Sequence, residues 1–381
     1  MGSPVLSSYA ATLGRLQHKM RLRSLSPRQG VDFTSNDFLA LANGPRLKDA
    51  VQSAMERGVP VGAAGSRLLR GNHPEHETLE AEAAEFFGVE RALYFGSGYA
   101  ANSALFSTLP QRDDLIVHDA LIHASVHEGI AGSKATAVGA AHNDADAFAD
   151  AIQRWRKKGG RGRPWIAVES VYSMDGDRAP LSALADIADR HDGFLVIDEA
   201  HSTGVFGSDG KGLAADLEGR ENVIALHTCG KALGVSGALL AAPGVLVDYL
   251  VNRARAFIYS TAPSPLMAAG VREALRIVRD EPERRTALQH LVVHLGERLE
   301  NQFGIAPSRS QIQPILIGDN TRAVRIAQAL QADGFDIRAI RPPTVPEGTA
   351  RLRLSVTLNV GSSEITTMLD CLAVAMKEHG K

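Results

Sequence analysis

Two residues that could bind and activate a cofactor, Asp198 and Lys231, each follow a short apolar run typical of a buried strand. Asp198 directly follows the run Phe194–Ile197, and the carboxyl end of a strand is where open α/β sheets bind their ligands. Burying a lone charge is costly, so this carboxylate requires a positive partner, for which a protonated pyridine nitrogen is one candidate. From this segment alone, the alternative that Asp198 is an N-cap of the following helix is about equally well supported.

Lys231 lies in the segment Thr228–Gly234, directly after the apolar run Val223–Leu226. A lysine among small residues at the end of a strand can be partly desolvated, and its neutral amine can then attack a carbonyl. A solvated surface lysine is the ordinary alternative, but the apolar, glycine-rich residues 232–247 argue against exposure. A lysine for a Schiff base and an aspartate for a pyridinium nitrogen are what pyridoxal phosphate requires. The two residues therefore predict a pyridoxal 5'-phosphate site.

The phosphate of such a cofactor needs a cradle, for which Gly96–Asn102 is the candidate. This segment joins a predicted strand to a predicted helix, so backbone N–H groups and the helix dipole can meet an anion. The signal is weak alone, because glycine turns before helices are common. Ser260 and Thr261 offer further hydroxyl groups.

Asp198–His201 also spells the Asp-Glu-Ala-His signature of nucleic-acid-dependent ATPases. Those enzymes need a phosphate loop of the form G-x-x-x-x-G-K-[ST]. The nearest match ends at Gly230-Lys231, but Ala225 replaces the first glycine and Ala232 replaces the serine or threonine. The net charge of -2 gives no support for a broad nucleic-acid or anionic-membrane surface either. The sequence therefore argues against a nucleic-acid motor.

The elements that must position these residues alternate along the chain from about Leu47. Short apolar runs separated by helical patterns predict a mostly parallel sheet with helices on both faces. The predicted strands are residues 92–95, 115–118, 165–168, 194–197 and 223–226. The pattern changes near Pro282, where long helical stretches lead to a smaller alternating unit. We therefore predict an α/β fold with an N-terminal segment (residues 1–39), a large α/β domain (40–280) and a small C-terminal α+β domain (281–381).

Composition and termini predict a cytoplasmic protein. Two cysteines, Cys229 and Cys371, are too few for a disulfide scaffold, and a reducing compartment is the simpler interpretation. No apolar stretch reaches the roughly 20 residues of a membrane span, and Met1–Pro4 does not begin a secretory signal. We predict no metal site, since no Cys/His cluster completes the His73 and His76 pair. His118, His127 and His142 are predicted to be structural.

The motifs, taken in order, carry a family resemblance from about Asp32 to the C-terminus. They are Ser35–Leu39, Gly71–Glu80, Gly98–Asn102, His123–Ser125, Ser173–Asp177, Asp198–His201, Gly230–Gly234, Ile258–Thr261 and Arg341–Arg353. At this spacing the chain resembles the α-oxoamine synthase family of fold type I pyridoxal-phosphate enzymes. Within that family it is most similar to the branch that makes 8-amino-7-oxononanoate for biotin synthesis.

The resemblance implies a role for each matched residue around the cofactor. Lys231 would attach the cofactor covalently, Asp198 would pair with its ring nitrogen, and His123 would stack on the ring and touch the substrate. Together with His201 these are the expected catalytic residues. Further cofactor contacts are implied for Gly98, Tyr99, Ser173, His201, Thr228, Ser260 and Thr261. Ser260 and Thr261 would reach the phosphate of the neighbouring subunit, which implies a homodimer with shared active sites.

The resemblance also implies the substrates. Arg353, assisted by Asn36, would hold the carboxylate of the amino acid, and Arg21 and Thr344 would face the acyl substrate. The expected reaction condenses L-alanine with a pimeloyl thioester, carried by coenzyme A or an acyl carrier protein, with loss of CO₂. Lys231 would act as the general base. Arg21 lies in a weakly matched segment, where a solvated arginine has equal weight.

Two other functions stay open. A sister synthase would keep the fold and cofactor but use glycine with another acyl thioester. A non-catalytic binding protein would keep only the fold, although it would not require the amine of Lys231. The chain departs from the family pattern at Arg70, which stands where a small residue is more common, and at Thr357–Val360, which replaces a stretch that usually carries a histidine.

Overall fold

The structure, a computed structural model, describes residues 4–379. Residues 1–3 and 380–381, which belong to the predicted N-terminal segment and C-terminal domain, lie outside the described residues. The strands are β1 (Val31–Asp32), β2 (Arg91–Phe95), β3 (Leu115–Asp119), β4 (Thr136–Ala140), β5 (Pro164–Glu169), β6 (Phe194–Asp198), β7 (Val223–Thr228), β8 (Ala238–Ala242), β9 (Ile312–Gly318), β10 (Phe335–Asp336), β11 (Ala339–Ile340) and β12 (Ala350–Ser355).

The helices complete the description of the elements. They are α1 (Ser7–His18), α2 (Pro45–Glu56), α3 (Pro74–Phe87), α4 (Gly98–Thr108), α5 (Ala124–Ala131), α6 (Ala145–Lys157), α7 (Leu181–Arg190), α8 (Gly244–Arg253), α9 (Arg255–Ile258), α10 (Pro265–Asp280), α11 (Pro282–Phe303), α12 (Asn320–Ala332) and α13 (Ser362–Glu378). None of these helices in the described part of the chain has the length and apolar content needed to cross a membrane.

The chain divides into two compact units. The large unit comprises residues 37–173 and 177–286, and the small unit comprises the described residues on either side of it together with 174–176. Each unit is built around its own main sheet, of seven strands in the large unit and three in the small unit.

The large unit contains a seven-stranded sheet in the order β2-β8-β7-β6-β5-β3-β4. Strands β3 to β7 pair in parallel, whereas β8 is antiparallel to both β7 and β2. Side chains alternate between the two faces, as a strand requires. Ile166 packs into the core beneath α6 and α7, and its neighbour Trp165 packs into the core beneath α4 and α8. These observations confirm the predicted α/β class and the five predicted strands.

The small unit contains a three-stranded antiparallel sheet in the order β11-β12-β9. Its central strand β12 is buried along its whole length. Apolar side chains of α12 and α13, such as Ile326 and Leu369, are completely buried in this unit. A short parallel pair, β1 with β10, lies in the same unit and brings residues 31–32 beside residues 335–336. The segment after β1 therefore has a fixed place in the small unit.

Candidate active site

Asp198 and Lys231 follow neighbouring parallel strands of the large unit. Strand β6 ends at Asp198, which pairs in register with Leu226 of β7, and β7 ends at Thr228 just before Lys231. Parallel neighbours end at the same edge of a sheet, which is why two segments distant in sequence meet there. The turn after β7 depends on Gly234, whose φ is +67° and whose missing side chain would lie 2.5 Å from the backbone nitrogen of Ala42.

The carboxylate of Asp198 is buried, with 7% of the residue exposed. Its Oδ2 accepts a hydrogen bond of 2.7 Å from the side-chain amide of Asn102, and its Oδ1 accepts one of 3.0 Å from the backbone N–H of Ala200. The backbone contact closes a local turn rather than capping a helix, because residues 200–205 form turns. Both donors are neutral groups. A buried carboxylate that accepts hydrogen bonds from neutral donors fits a site that receives a positively charged group.

Lys231 is half-buried and contacts His201. Its Nζ lies 2.8 Å from Nε2 of His201, within hydrogen-bonding distance. Lysine donates hydrogen bonds when protonated and gains nucleophilic and basic character when it loses its proton. His201 is buried and lies three residues after Asp198 in the chain. The structure therefore brings three of the four predicted catalytic residues to one edge of the sheet.

The predicted phosphate cradle is present at the start of α4. Ser97 caps this helix by accepting a hydrogen bond of 3.1 Å from the backbone N–H of Ala100. A side chain at Gly98 would lie 3.6 Å from Oγ1 of Thr228, so this hydroxyl group borders the helix N-terminus. The backbone N–H groups of the first turn and the hydroxyl of Thr228 form a donor set suited to a phosphate. With the buried carboxylate of Asp198 and the amine of Lys231, the residues fit pyridoxal phosphate.

His123 precedes α5 and lies beside Tyr99. The two rings are edge-on, with 6.4 Å between their centroids. Nδ1 of His123 contacts Oγ of Ser125 at 2.7 Å. Part of the His123 ring is exposed, which leaves a surface on which a planar cofactor could stack. Desolvation by the surrounding protein lowers the pKa of His123; the carboxylate of Asp198 opposes this shift, and the charge of Lys231 adds to it.

Glu169 is a site residue that sequence reasoning missed. It ends β5 and pairs in register with Asp198 of β6, so two carboxylates lie side by side at the sheet edge. Oε2 of Glu169 accepts a hydrogen bond of 3.1 Å from the backbone N–H of Ser173, one of the predicted cofactor contacts. Complete burial raises the pKa of Glu169 to about 8, and the charge of Asp198 adds to this shift. The sequence signal that could have identified Glu169 was an acidic residue at the end of a predicted strand, next to the strand that carries Asp198.

The predicted substrate residues lie in the small unit. Arg353 is buried on β12, where its guanidinium donates to Oδ1 of Asn36 at 2.9 Å and to Oγ of Ser355 at 2.7 Å. The predicted pairing of Arg353 with Asn36 thus exists as a direct contact. Arg21 is mostly buried and forms an ion pair with Glu347, so it is not the solvated arginine of the alternative interpretation.

The surroundings of two other sets of predicted contact residues do not test their predicted roles. The hydroxyl of Thr344 accepts a hydrogen bond of 2.8 Å from Arg23 rather than from Arg21. Ser260 and Thr261 are exposed after α9. The contact of Thr344 with the acyl substrate therefore stays a prediction. The contact of Ser260 and Thr261 with a partner's phosphate stays a prediction as well. Within residues 4–379, no group of three or more metal-binding side chains is present.

Comparisons with known proteins give a consistent result over almost the whole chain. The family model for aminotransferase class I and II matches residues 28–371. The 8-amino-7-oxononanoate synthase of Chromobacterium violaceum is 40% identical over 382 residues, which cover 96% of this chain and 98% of that protein. A solved 8-amino-7-oxononanoate synthase from Francisella tularensis is 28% identical with a TM-score of 0.78, covering 92% of this chain and 99% of that one. A solved SPT with PLP is 25% identical with a TM-score of 0.88, covering 99% and 98%.

Proposed function

The chain belongs to the aminotransferase class I and II family, and we propose that within it the chain makes 8-amino-7-oxononanoate from L-alanine and a pimeloyl thioester. It is a pyridoxal 5'-phosphate-dependent acyltransferase of the 8-amino-7-oxononanoate synthase type. The observation that carries the proposal is the buried carboxylate of Asp198, which accepts from the neutral amide of Asn102, at the same sheet edge as the Lys231–His201 pair. In the proposed reaction the new C–C bond releases the carrier thiol, and the carboxylate of alanine leaves as CO₂.

The protein and the cofactor divide the chemistry between them. When bound, pyridoxal phosphate supplies an electron sink that stabilises negative charge at the α-carbon of the amino acid. Asp198 would hold the ring nitrogen, since a buried carboxylate favours a protonated partner. The amine of Lys231 would take the α-proton and later return it, and His201 at 2.8 Å would orient that amine. The donors near Gly98 and Thr228 would hold the phosphate.

We propose that Arg353 holds the carboxylate of alanine. Its planar guanidinium suits a carboxylate because it can donate two parallel hydrogen bonds. Contacts with Asn36 and Ser355 fix the orientation of the guanidinium before substrate arrives, which lowers the entropy cost of binding. We propose that Arg21 and Thr344 contact the acyl substrate, for which the only support is their match to the family motif and their common location in the small unit.

We propose a homodimer in which Ser260 and Thr261 reach the phosphate of the neighbouring active site. Their exposure supports this proposal, because a residue that serves a partner must lie at the surface. If so, mixing Lys231→Ala protein with a Ser260→Ala/Thr261→Ala variant would give mixed dimers with one fully intact site, and activity would exceed that of either variant alone. We also propose a cytoplasmic location, which the two free thiols of Cys229 and Cys371 support.

A sister synthase that uses another amino acid is the alternative, favoured by one observation. The solved SPT matches the fold with a higher TM-score than the solved 8-amino-7-oxononanoate synthase, 0.88 against 0.78. The sequence identities favour the first function, since relatives of that name reach 40% identity over nearly the whole chain.

The test adds L-alanine, glycine or L-serine to the holoenzyme and follows the visible absorbance of the bound cofactor. We expect L-alanine to change the spectrum, and L-alanine with pimeloyl-CoA or pimeloyl acyl carrier protein to yield 8-amino-7-oxononanoate by mass spectrometry. Lys231→Ala should lose both responses, whereas Lys134→Ala, which alters an exposed lysine of the same unit, should keep them. A product formed only from glycine or L-serine with another acyl thioester would assign the chain to a sister synthase.

A further inference from the structure

A chain of hydrogen bonds joins Asp198 to His123 through two buried residues without an assigned role, Asn102 and Ser125. Nδ2 of Asn102 donates to Oδ2 of Asp198 at 2.7 Å and to Oγ of Ser125 at 3.0 Å. Oγ of Ser125 lies 2.7 Å from Nδ1 of His123. Asn102 is 2% exposed and Ser125 is 0% exposed, so water does not compete for the two contacts of Asn102, whereas the contact with His123 is partly buried.

The packing of α4 against α5 brings the two bridging residues together. Asn102 lies on α4 and Ser125 lies in the first turn of α5. The helices approach closely at Gly129, where a side chain would lie 2.7 Å from Cβ of Phe106. The bridge therefore depends on tertiary packing that a larger residue at this position would disturb.

Groups that can only donate or only accept set the directions of the bonds in this chain. An ionised carboxylate only accepts, so the amide of Asn102 must turn its NH₂ group toward Asp198. The second N–H of that group then donates to Oγ of Ser125. The hydroxyl of Ser125, which already accepts from Asn102, has its own hydrogen available for Nδ1 of His123. The backbone N–H of Ser125 also points at this nitrogen, at 3.2 Å.

The result is a defined protonation state for the imidazole. Nδ1 of His123 accepts from the backbone N–H of Ser125, and a proton on Nδ1 would break this contact, so a neutral ring that keeps it carries its proton on Nε2; the hydroxyl of Ser125 can then donate to Nδ1 as well. We propose that Asn102 and Ser125 are positioning residues that hold His123 in the Nε2–H tautomer, so that it meets the substrate as a hydrogen-bond donor and not as a base. A fixed donor can stabilise negative charge that develops on a substrate oxygen during acyl transfer.

Electrostatics at the site are consistent with a neutral ring. Desolvation lowers the pKa of His123; the charge of Asp198 opposes this shift, and that of Lys231 adds to it. The inference rests on the proposed function only for the identity of the substrate oxygen to which His123 donates. The tautomer itself follows from contacts within the large unit, and it can be measured without any substrate.

The experiment is ¹⁵N NMR of the histidine side chains in the ¹⁵N-histidine-labelled holoenzyme. The resonances of His123 are identified by their loss in His123→Gln. We expect Nε2 to be protonated and Nδ1 unprotonated in the wild-type protein, and a mixture of tautomers in Ser125→Ala. Ser125→Thr, which keeps the hydroxyl group, should restore the wild-type pattern. Ser310→Ala removes an equally buried hydroxyl from the small unit and should leave the His123 resonances unchanged.

Steady-state kinetics give the second readout. One lost hydrogen bond of about 1 kcal/mol in the transition state corresponds to a decrease in kcat of about fivefold to tenfold in Ser125→Ala. The KM for L-alanine should change little, because the donor acts on charge that develops later. A protonated Nδ1 in the wild-type holoenzyme, or a Ser125→Ala variant with the wild-type tautomer and wild-type kcat, would overturn the inference. Failure to form 8-amino-7-oxononanoate with an unaltered Nε2–H signal would instead refute only the proposed function.

Discussion

Replacing His142 by phenylalanine should destabilise the protein in a manner that depends on pH. Nδ1 of His142 lies 2.8 Å from Oδ1 of Asp119, and Nε2 lies 2.8 Å from Oδ2 of Asp177. Both carboxylates only accept hydrogen bonds, so the imidazole carries a proton on each nitrogen. Burial of the ring opposes this charge, but the two carboxylates outweigh it and raise the pKa of His142 to about 10. Phenylalanine keeps the edge-on contact with Tyr172 and removes the charge.

The magnitude follows from the pKa shift and its screening. A pKa raised from 6.5 to about 10 corresponds to an upper limit of about 5 kcal/mol in the free energy of unfolding. The side chains of His142 and Asp177 are 25% and 40% exposed, so solvent weakens the interaction, whereas Asp119 is 0% exposed and keeps its full desolvation penalty. We therefore expect His142→Phe to cost about 2–3 kcal/mol near pH 6, or roughly 3–6 °C in Tm.

The pH dependence gives the sharper test. The pKa of His142 is higher in the folded state, so its stabilisation is fully present below pH 6.5 and is lost as the pH rises through about 10. Thermal and urea unfolding of the wild-type protein and His142→Phe at pH 6, 8 and 10 should show a difference that shrinks steadily. His127→Phe is the control. Burial lowers the pKa of His127, so the destabilisation caused by this substitution should not decrease between pH 6 and pH 10. A difference of the same size at pH 6 and pH 10 would refute the reasoning.

Two further predictions concern the site itself. Arg353→Lys keeps the charge but loses the planar fork, so the KM for L-alanine should rise about tenfold to a hundredfold. Arg338→Lys, in a partly buried pair with Asp336, should leave KM unchanged. For Glu169, with its pKa raised to about 8 by burial, the wild-type protein should lose stability between pH 4.5 and 8. In cofactor-free protein, the free energy of urea unfolding of Glu169→Gln should therefore rise relative to that of the wild type from pH 5 to pH 8. Parallel pH profiles of the two proteins would contradict this expectation.

The sequence predicted the parallel strands of the large sheet because each is a compact apolar run between helical patterns. It missed β4 and β8. Strand β4 is largely exposed and contains Gly139, so it lacks the apolar run of a buried strand. Strand β8 lies within the apolar stretch 232–247, where periodicity alone cannot separate a strand from a buried helix. Its antiparallel direction also depends on pairing with β2, a residue run far away in the chain.

Local chemistry in the sequence determined where Asp198 and Lys231 lie, because each directly follows a strand that any parallel sheet would end at the same edge. The contacts of these groups depend on how the helices and strands pack. The amide of Asn102 on Asp198, the carboxylates on either side of His142 and the desolvation of Glu169 all join elements that are distant in sequence. A protonation state depends on burial and on distances of a few ångströms, and both of these exist only after the helices and strands have packed.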